Sequence, residues 1–100
     1  MPFETPADRQ EHYDKHEREF QAGMTVEEYE TRAEEFMNQV MTVLLVECTR
    51  RRDGYRARLN LVTDEFGVVD SSGNIATYFI ANTAIHGKPS NLEYHREWCR

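Results

Sequence analysis

Apolar positions follow one spacing up to about residue 40 and another beyond it. In the first stretch they recur every three or four residues, the spacing of a helix with one buried side. Asp8 can cap a first helix running to about Phe20, with Tyr13, His16 or Glu17, and Phe20 on one face. Gln21-Ala22-Gly23 interrupts it, and Thr25-Val26-Glu27-Glu28 forms a capping box that opens a second helix. Val26, Tyr29, Ala33, Phe36 and Val40 then follow in one continuous stripe. Residues 1–7, with Pro2 and Pro6, read as a flexible lead-in, and residues 8–100 as a single domain.

Beyond about Gln39 the pattern becomes that of strands. Thr42–Thr49 is β-branched and aliphatic, Arg56–Val62 alternates polar with apolar, and Phe66–Asp70 and Ile75–Ile80 complete a set of four. Arg52-Asp53-Gly54-Tyr55, Asp64-Glu65 and Ser71-Ser72-Gly73-Asn74 are turn signals between them. Short connections imply an antiparallel meander. Asn91–Trp98 reads as a short helical tail. The expected class is therefore α+β, with two N-terminal helices packed on one face of a small four-stranded antiparallel sheet. Val26, Tyr29, Ala33, Phe36, Leu44, Leu59, Val68 and Phe79 are its expected core.

Charge divides along the same line. Residues 1–40 carry eleven Asp/Glu against four Lys/Arg, and residues 41–100 carry seven against eight, within a net charge of −6. An acidic total disfavours non-specific adhesion to nucleic acid, whereas the cluster Arg50, Arg51, Arg52, Arg56 and Arg58 suits a few phosphates. No apolar run approaches the ~20 residues of a membrane span. The start has neither the basic nor the apolar segment of a signal peptide. Cys48 and Cys99 lack CxxC or metal-site spacing and read as reduced thiols, a disulfide between them being the less favoured alternative.

His12 and His16 share a helix face four residues apart. They fit three readings: half-exposed helix histidines, a metal pair needing further ligands, or a site in which His16 is a general acid or base. Arg56, Arg58 and Asn60 share one side of a strand, as do Thr77 and Phe79 on another. A histidine, an arginine fork and a hydroxyl suffice to cleave a phosphodiester through a neighbouring 2′-hydroxyl. Arginines on a polar strand face are otherwise solubilising. GxSxG, GxGxxG and Walker patterns are absent from the sequence, and no cofactor is expected.

Two stretches carry a resemblance. His12-Tyr13-Asp14-Lys15-His16-Glu17-Arg18-Glu19-Phe20, with Thr25 to Tyr29 and Ala33 to Phe36, resembles the H-F-x-K-H-G-x-E-F … T-x-x-E-Y … A-x-x-F opening of certain bacterial toxin domains. Arg58-Leu59-Asn60, Thr63–Asp70, Gly73–Phe79, His86-Gly87 and Asn91–Tyr94 resemble their R-Y-D-P … T-N-E-F-A-V … G-T-I-R-T-F-F-K-P … H-G … N-L-E-Y ending. These domains end polymorphic toxins, contact-dependent inhibition proteins and phage head proteins. They belong to the barnase, EndoU, colicin and RelE group of ribonucleases, built as helices followed by a four-stranded sheet.

The resemblance implies a metal-independent endoribonuclease acting on RNA, tRNA among the candidates, in a bacterial cytoplasm. It would be delivered within a larger toxin and neutralised by an immunity protein. His16, Arg58 and Thr77 would be catalytic. Tyr78 and Asn91 are further candidates for substrate binding. Glu17 replaces a usual glycine, Ala76 an arginine and Ile80 a lysine, so Arg56 and Lys88 are the neighbouring cations expected to compensate. The alternative is a catalytically inactive interaction module on the same scaffold. Geometry separates the two: the catalytic reading expects His16, Arg58 and Thr77 to share one concave surface, and opposite sheet faces for Arg58 and Thr77 favour the module.

Overall fold

Thr25 opens the most regular helix. Its hydroxyl accepts from the Glu28 N–H at 3.1 Å while the Glu28 carboxylate accepts from the Thr25 N–H at 3.4 Å, the reciprocal box anticipated above. The computed structural model describes residues 2–100. In it this helix, α2, spans Val26–Asn38 and buries Tyr29, Ala33, Phe36 and Met37, leaving Val26 half-buried. Before it come α1, Pro6–His16, and a 3-10 turn, Glu17–Glu19. Thr5, rather than Asp8, caps α1: its hydroxyl accepts from the Asp8 N–H at 3.1 Å. Pro6 follows in the first turn, where a helix has no use for the missing N–H.

Four strands follow, β1 (Leu45–Thr49), β2 (Arg56–Asn60), β3 (Glu65–Val69) and β4 (Ile75–Ile80), paired antiparallel in the order β1-β2-β3-β4. The chain then forms α3, Thr83–His86, which the sequence reading did not anticipate, and α4, Asn91–Trp98, which it did. The class is α+β. The first strand is shorter than expected because Thr42 turns the backbone: its carbonyl and hydroxyl accept from the N–H groups of Leu45 and Leu44. Leu44 therefore precedes the strand and is 45% exposed instead of lying in the core.

Helices cover both faces of the sheet, not one. On the first, Leu45, Val69, Ile75 and Tyr78 meet Tyr29, Ala33, Phe36 and Met37 of α2. Gly67 lets α2 come close, since a Cβ there would lie 2.6 Å from Met37 Sδ. On the second, Ala57, Leu59, Phe66 and Val68 meet Tyr94 and Trp98 of α4, with Phe79 half-buried among them. Cys48 of β1 and Cys99 after α4 are joined as a disulfide, so the reading of both as free thiols is corrected. Sequence spacing could not reveal it, because a 51-residue separation closes only through the packing of α4 on the sheet.

Of residues 1–7, expected as a flexible lead-in, Met1 lies outside the described residues, Pro2 and Phe3 lie along β4, and Thr5 to Ala7 form the cap and first residues of α1. Pro2 O accepts from the Ile75 N–H at 2.8 Å, and Phe3 is buried with its N–H donating to Glu30. Near this end β4 carries a register shift, Val68 pairing with Thr77 but Val69 with Ile75. The extra residue, Ala76, sends Ile75 to the α2 core and leaves Thr77 on the α4 face.

Candidate functional site

Strand alternation decides which candidate residues can meet. Across the sheet Arg58 pairs with Gly67 and Gly67 with Tyr78, while Ala57 pairs with Val68 and Val68 with Thr77. Arg58 and Tyr78 therefore share the α2 face, and Thr77 shares the other with Val68. The expected convergence of Arg58 with Thr77 does not occur, so the three-residue catalytic site is overturned as drawn, the outcome that favours the interaction module.

On the α2 face the arginines complete the end of a helix. The last turn of α2 has no basic residue of its own. Arg58 Nη1 donates to Phe36 O at 2.9 Å and Gln39 O at 2.7 Å, and Nη2 reaches Glu47. Arg56 Nη1 donates to Met37 O at 3.2 Å and Glu47 at 2.5 Å. These guanidiniums satisfy carbonyls that a helix C-terminus leaves open and lie at the negative end of its dipole. Arg58 is 4% exposed, so both its position and its bonds remove it from substrate contact. Tyr78 is likewise enclosed: its hydroxyl donates to Glu65 and accepts from Arg32, and burial first, then Glu65, raises its pKa.

The other face opens into a cleft of about 330 Å³ lined by Lys15, His16, Glu19, Thr77, Phe79, Ile80, Asn82, Ile85, His86 and Tyr94. Helix α1 lies along β4, turning Tyr13 toward α2 and His12 and His16 toward Thr77 and Phe79. The His16 ring stacks on Phe79 at 5.0 Å. Its Nδ1 is 2.7 Å from Glu19 Oε2, and the other carboxylate oxygen accepts from the Ile80 N–H at 2.7 Å. A carboxylate only accepts, so Nδ1 carries the proton of a neutral His16 and Nε2 is left to exchange one. Glu19 is thereby bolted to β4 and sets the tautomer of the histidine.

Thr77 Oγ1 lies 3.5 Å from His12 Nδ1, at the long limit of a hydrogen bond. The His12 ring stacks on Phe3 and lies 6.2 Å from that of His16. Burial, then the neighbouring His16, holds the His12 pKa below its ordinary value. His86 stacks on Tyr94 at 4.4 Å, and both its nitrogens are engaged, by Asn91 Oδ1 and the Lys88 N–H. Asn91 also donates to Ala81 O at 3.1 Å, so it is a latch between β4 and the start of α4. Lys88 is exposed outside the cleft lining. A larger groove of about 650 Å³, between Tyr13, Glu17 and Phe20 to Thr25, has no histidine in its lining.

Of the proposed catalytic residues, His16 and Thr77 come together and Arg58 does not. Lys15, Glu19 and His86 complete the cleft without having been singled out. The signal for Glu19 was available, since it stands one helical turn after His16. No protein-family profile matches the chain, and no curated protein matches it in sequence.

Proposed function

We propose that this cleft is the acid–base site of a metal-independent endoribonuclease. The observation that carries the reading is His16, tethered through Nδ1 to Glu19, in one cleft with Lys15 and Thr77. His16 Nε2 takes the proton of an RNA 2′-hydroxyl as the oxygen attacks the adjacent phosphorus. The Lys15 ammonium and Thr77 hydroxyl stabilise charge growing on the phosphoryl oxygens, and the 5′-oxygen leaves with a returned proton. The RNA supplies its own nucleophile. The resemblance adds support: His16, Glu19, Thr77, Phe79, His86 and Tyr94, scattered over its two stretches, line the same cleft. RNA, with tRNA as one candidate, is the proposed substrate and an immunity protein the proposed partner.

The other reading, the inactive interaction module, is the one that opposite sheet faces for Arg58 and Thr77 favour, and the acid–base reading competes with it only on the reduced set of His16, Glu19, Lys15 and Thr77. With Arg56 and Arg58 bound to α2, Lys15 is the one lysine or arginine lining the cleft among the described residues. Incubating the disulfide form with single-stranded RNA and tRNA in EDTA separates the readings. Cleavage leaving 2′,3′-cyclic phosphate ends is expected, with DNA of the same sequence uncut. His16→Ala should slow it by about 10²- to 10⁴-fold. No cleavage of any RNA, or unchanged cleavage by the variant, would leave the interaction module as the better account.

A further inference from the structure

The disulfide on the α4 face has a third member. His95 stands one turn before Cys99, and the donor atoms of Cys48, His95 and Cys99 all lie within 4.8 Å of one another. Cys99 Sγ is 3.7 Å from each ring nitrogen of His95. The Nε2 of His95 is 3.1 Å from Ala57 O, and a carbonyl only accepts, so this nitrogen bears the proton and Nδ1 keeps a lone pair; the equal distances put Cys99 Sγ off that lone pair's direction while the disulfide holds it. A histidine anchored by a backbone carbonyl at one nitrogen with the other free is how metal-ligating imidazoles are oriented.

We propose that, once its disulfide is reduced, this trio is a binding site for a thiophilic divalent cation of the zinc type. The proposal is independent of the cleft and its chemistry. Tetrahedral zinc, with Zn–S of about 2.3 Å and Zn–N of about 2.0 Å, requires S···N edges of about 3.6 Å and an S···S edge of about 3.8 Å. The Cys99–His95 edge has about that length, and turning the Cys99 side chain once it is reduced brings Sγ round to the Nδ1 lone pair. A Cα–Cα separation of 6.1 Å between the cysteines lets the sulfurs part to it by side-chain rotation.

The exchange balances. A dithiol reductant gives two electrons and two protons to Cys48–Cys99 and becomes a disulfide. The metal then replaces both thiol protons, forming two metal–sulfur bonds and one to His95 Nδ1. Two thiolates cancel the ion's charge at this half-buried position, and a solvent molecule takes the fourth place. The same three residues would thus clamp α4 to β1 covalently when oxidised and through a metal when reduced.

Cobalt(II) is the probe. The 100-residue chain reduced with a phosphine should bind one equivalent, developing thiolate charge-transfer and tetrahedral d–d bands that zinc(II) abolishes. The disulfide form should show neither. Cys99→Ser should lose the charge-transfer intensity, and His95→Gln, which keeps a donor for Ala57 O, should weaken binding by roughly 100-fold. If the reduced apo chain loses its helical circular dichroism, zinc should restore it in wild type and not in His95→Gln. Absence of the bands, failure of zinc to restore structure, or equal affinity in His95→Gln would overturn the proposal.

Discussion

On the α2 face of the sheet, Arg58 gives its hydrogen bonds to Phe36 O, Gln39 O and Glu47. On the α4 face, His16 commits one nitrogen to Glu19 and borders a cleft with the other. Both are polar residues under 10% exposed that pack against the same small sheet, yet one completes a helix end and the other keeps a ring nitrogen uncommitted. What separates them is the state of their neighbours. Helix α2 ends without a basic residue in its last turn and so draws in two arginines, whereas Glu19 leaves its histidine half-committed. Burial of a charged group is therefore no guide to catalysis until its partners have been counted.

Breaking the α2 face should have the largest effect. Arg58→Ala orphans two carbonyls, at roughly 1–3 kcal/mol each, and leaves Glu47 to Arg56 alone, so the variant should lose about 3–5 kcal/mol in denaturant unfolding. Cleavage per folded molecule should persist, since the residue lies behind the sheet. Loss of activity without loss of stability would return Arg58 to the site.

Next in size is the covalent clamp. Replacing Cys48 and Cys99 with alanine removes a cross-link closing 51 residues, worth about 2–4 kcal/mol in the chain-entropy account. Hydrogen exchange should rise in α4 and at Tyr94 while α2 stays protected. Uniform loss of protection would show that the two faces do not open separately.

Glu19→Gln tests the open face. The amide has one oxygen for two jobs; if it keeps the Ile80 N–H, its NH₂ meets His16 Nδ1 and moves the ring proton to Nε2. Cleavage should fall at least ~100-fold, as when a wrong tautomer disables a catalytic histidine. Stability should change by about 1 kcal/mol. Unchanged cleavage would mean that Glu19 holds β4 and nothing more.

The smallest effect concerns acid. An unfolded chain protonates His12 near its ordinary value of 6.5, while the folded protein resists, through burial first, then His16 and Lys15, against the opposing pull of Glu11 and Asp8. This contribution to stability is complete above about pH 6.5 and is lost as pH falls through the lower, folded value. His12→Gln should therefore flatten the stability curve between about pH 7 and pH 5 by less than about 1 kcal/mol. An unaltered slope would place the acid sensitivity elsewhere.

The fold was largely legible because its signals are local. The Thr25 box and the stripe from Tyr29 to Phe36 identify α2, period-two alternation identifies β2, and the turns around Gly54 and Gly73 separate the strands. The site was half legible. His16 and Thr77 could be singled out by chemistry, but placing Arg58 required knowing what covers each face, and alternation tells only that two sets of residues are opposed. Leu44 reads as core until Thr42 is seen to turn the chain before the strand. The disulfide depends on where α4 docks, which no spacing between Cys48 and Cys99 encodes.

The cleft draws its walls from distant parts of the chain. His16 and Glu19 come from the beginning, Thr77 and Phe79 from the last strand, and His86 and Tyr94 from beyond it. The meander itself needs only neighbouring strands to find one another, so its contacts are local and quick to form. The cleft should accordingly be the last part of the molecule to mature. If the cleft is the proposed ribonuclease site, a growing polypeptide whose sheet has already closed would lack it until residue 94 has emerged and docked, a delay that would shield the RNA of the cell making it. Pulse-labelled refolding should reveal this as protection of β2 and β3 amides ahead of those in α1 and α4.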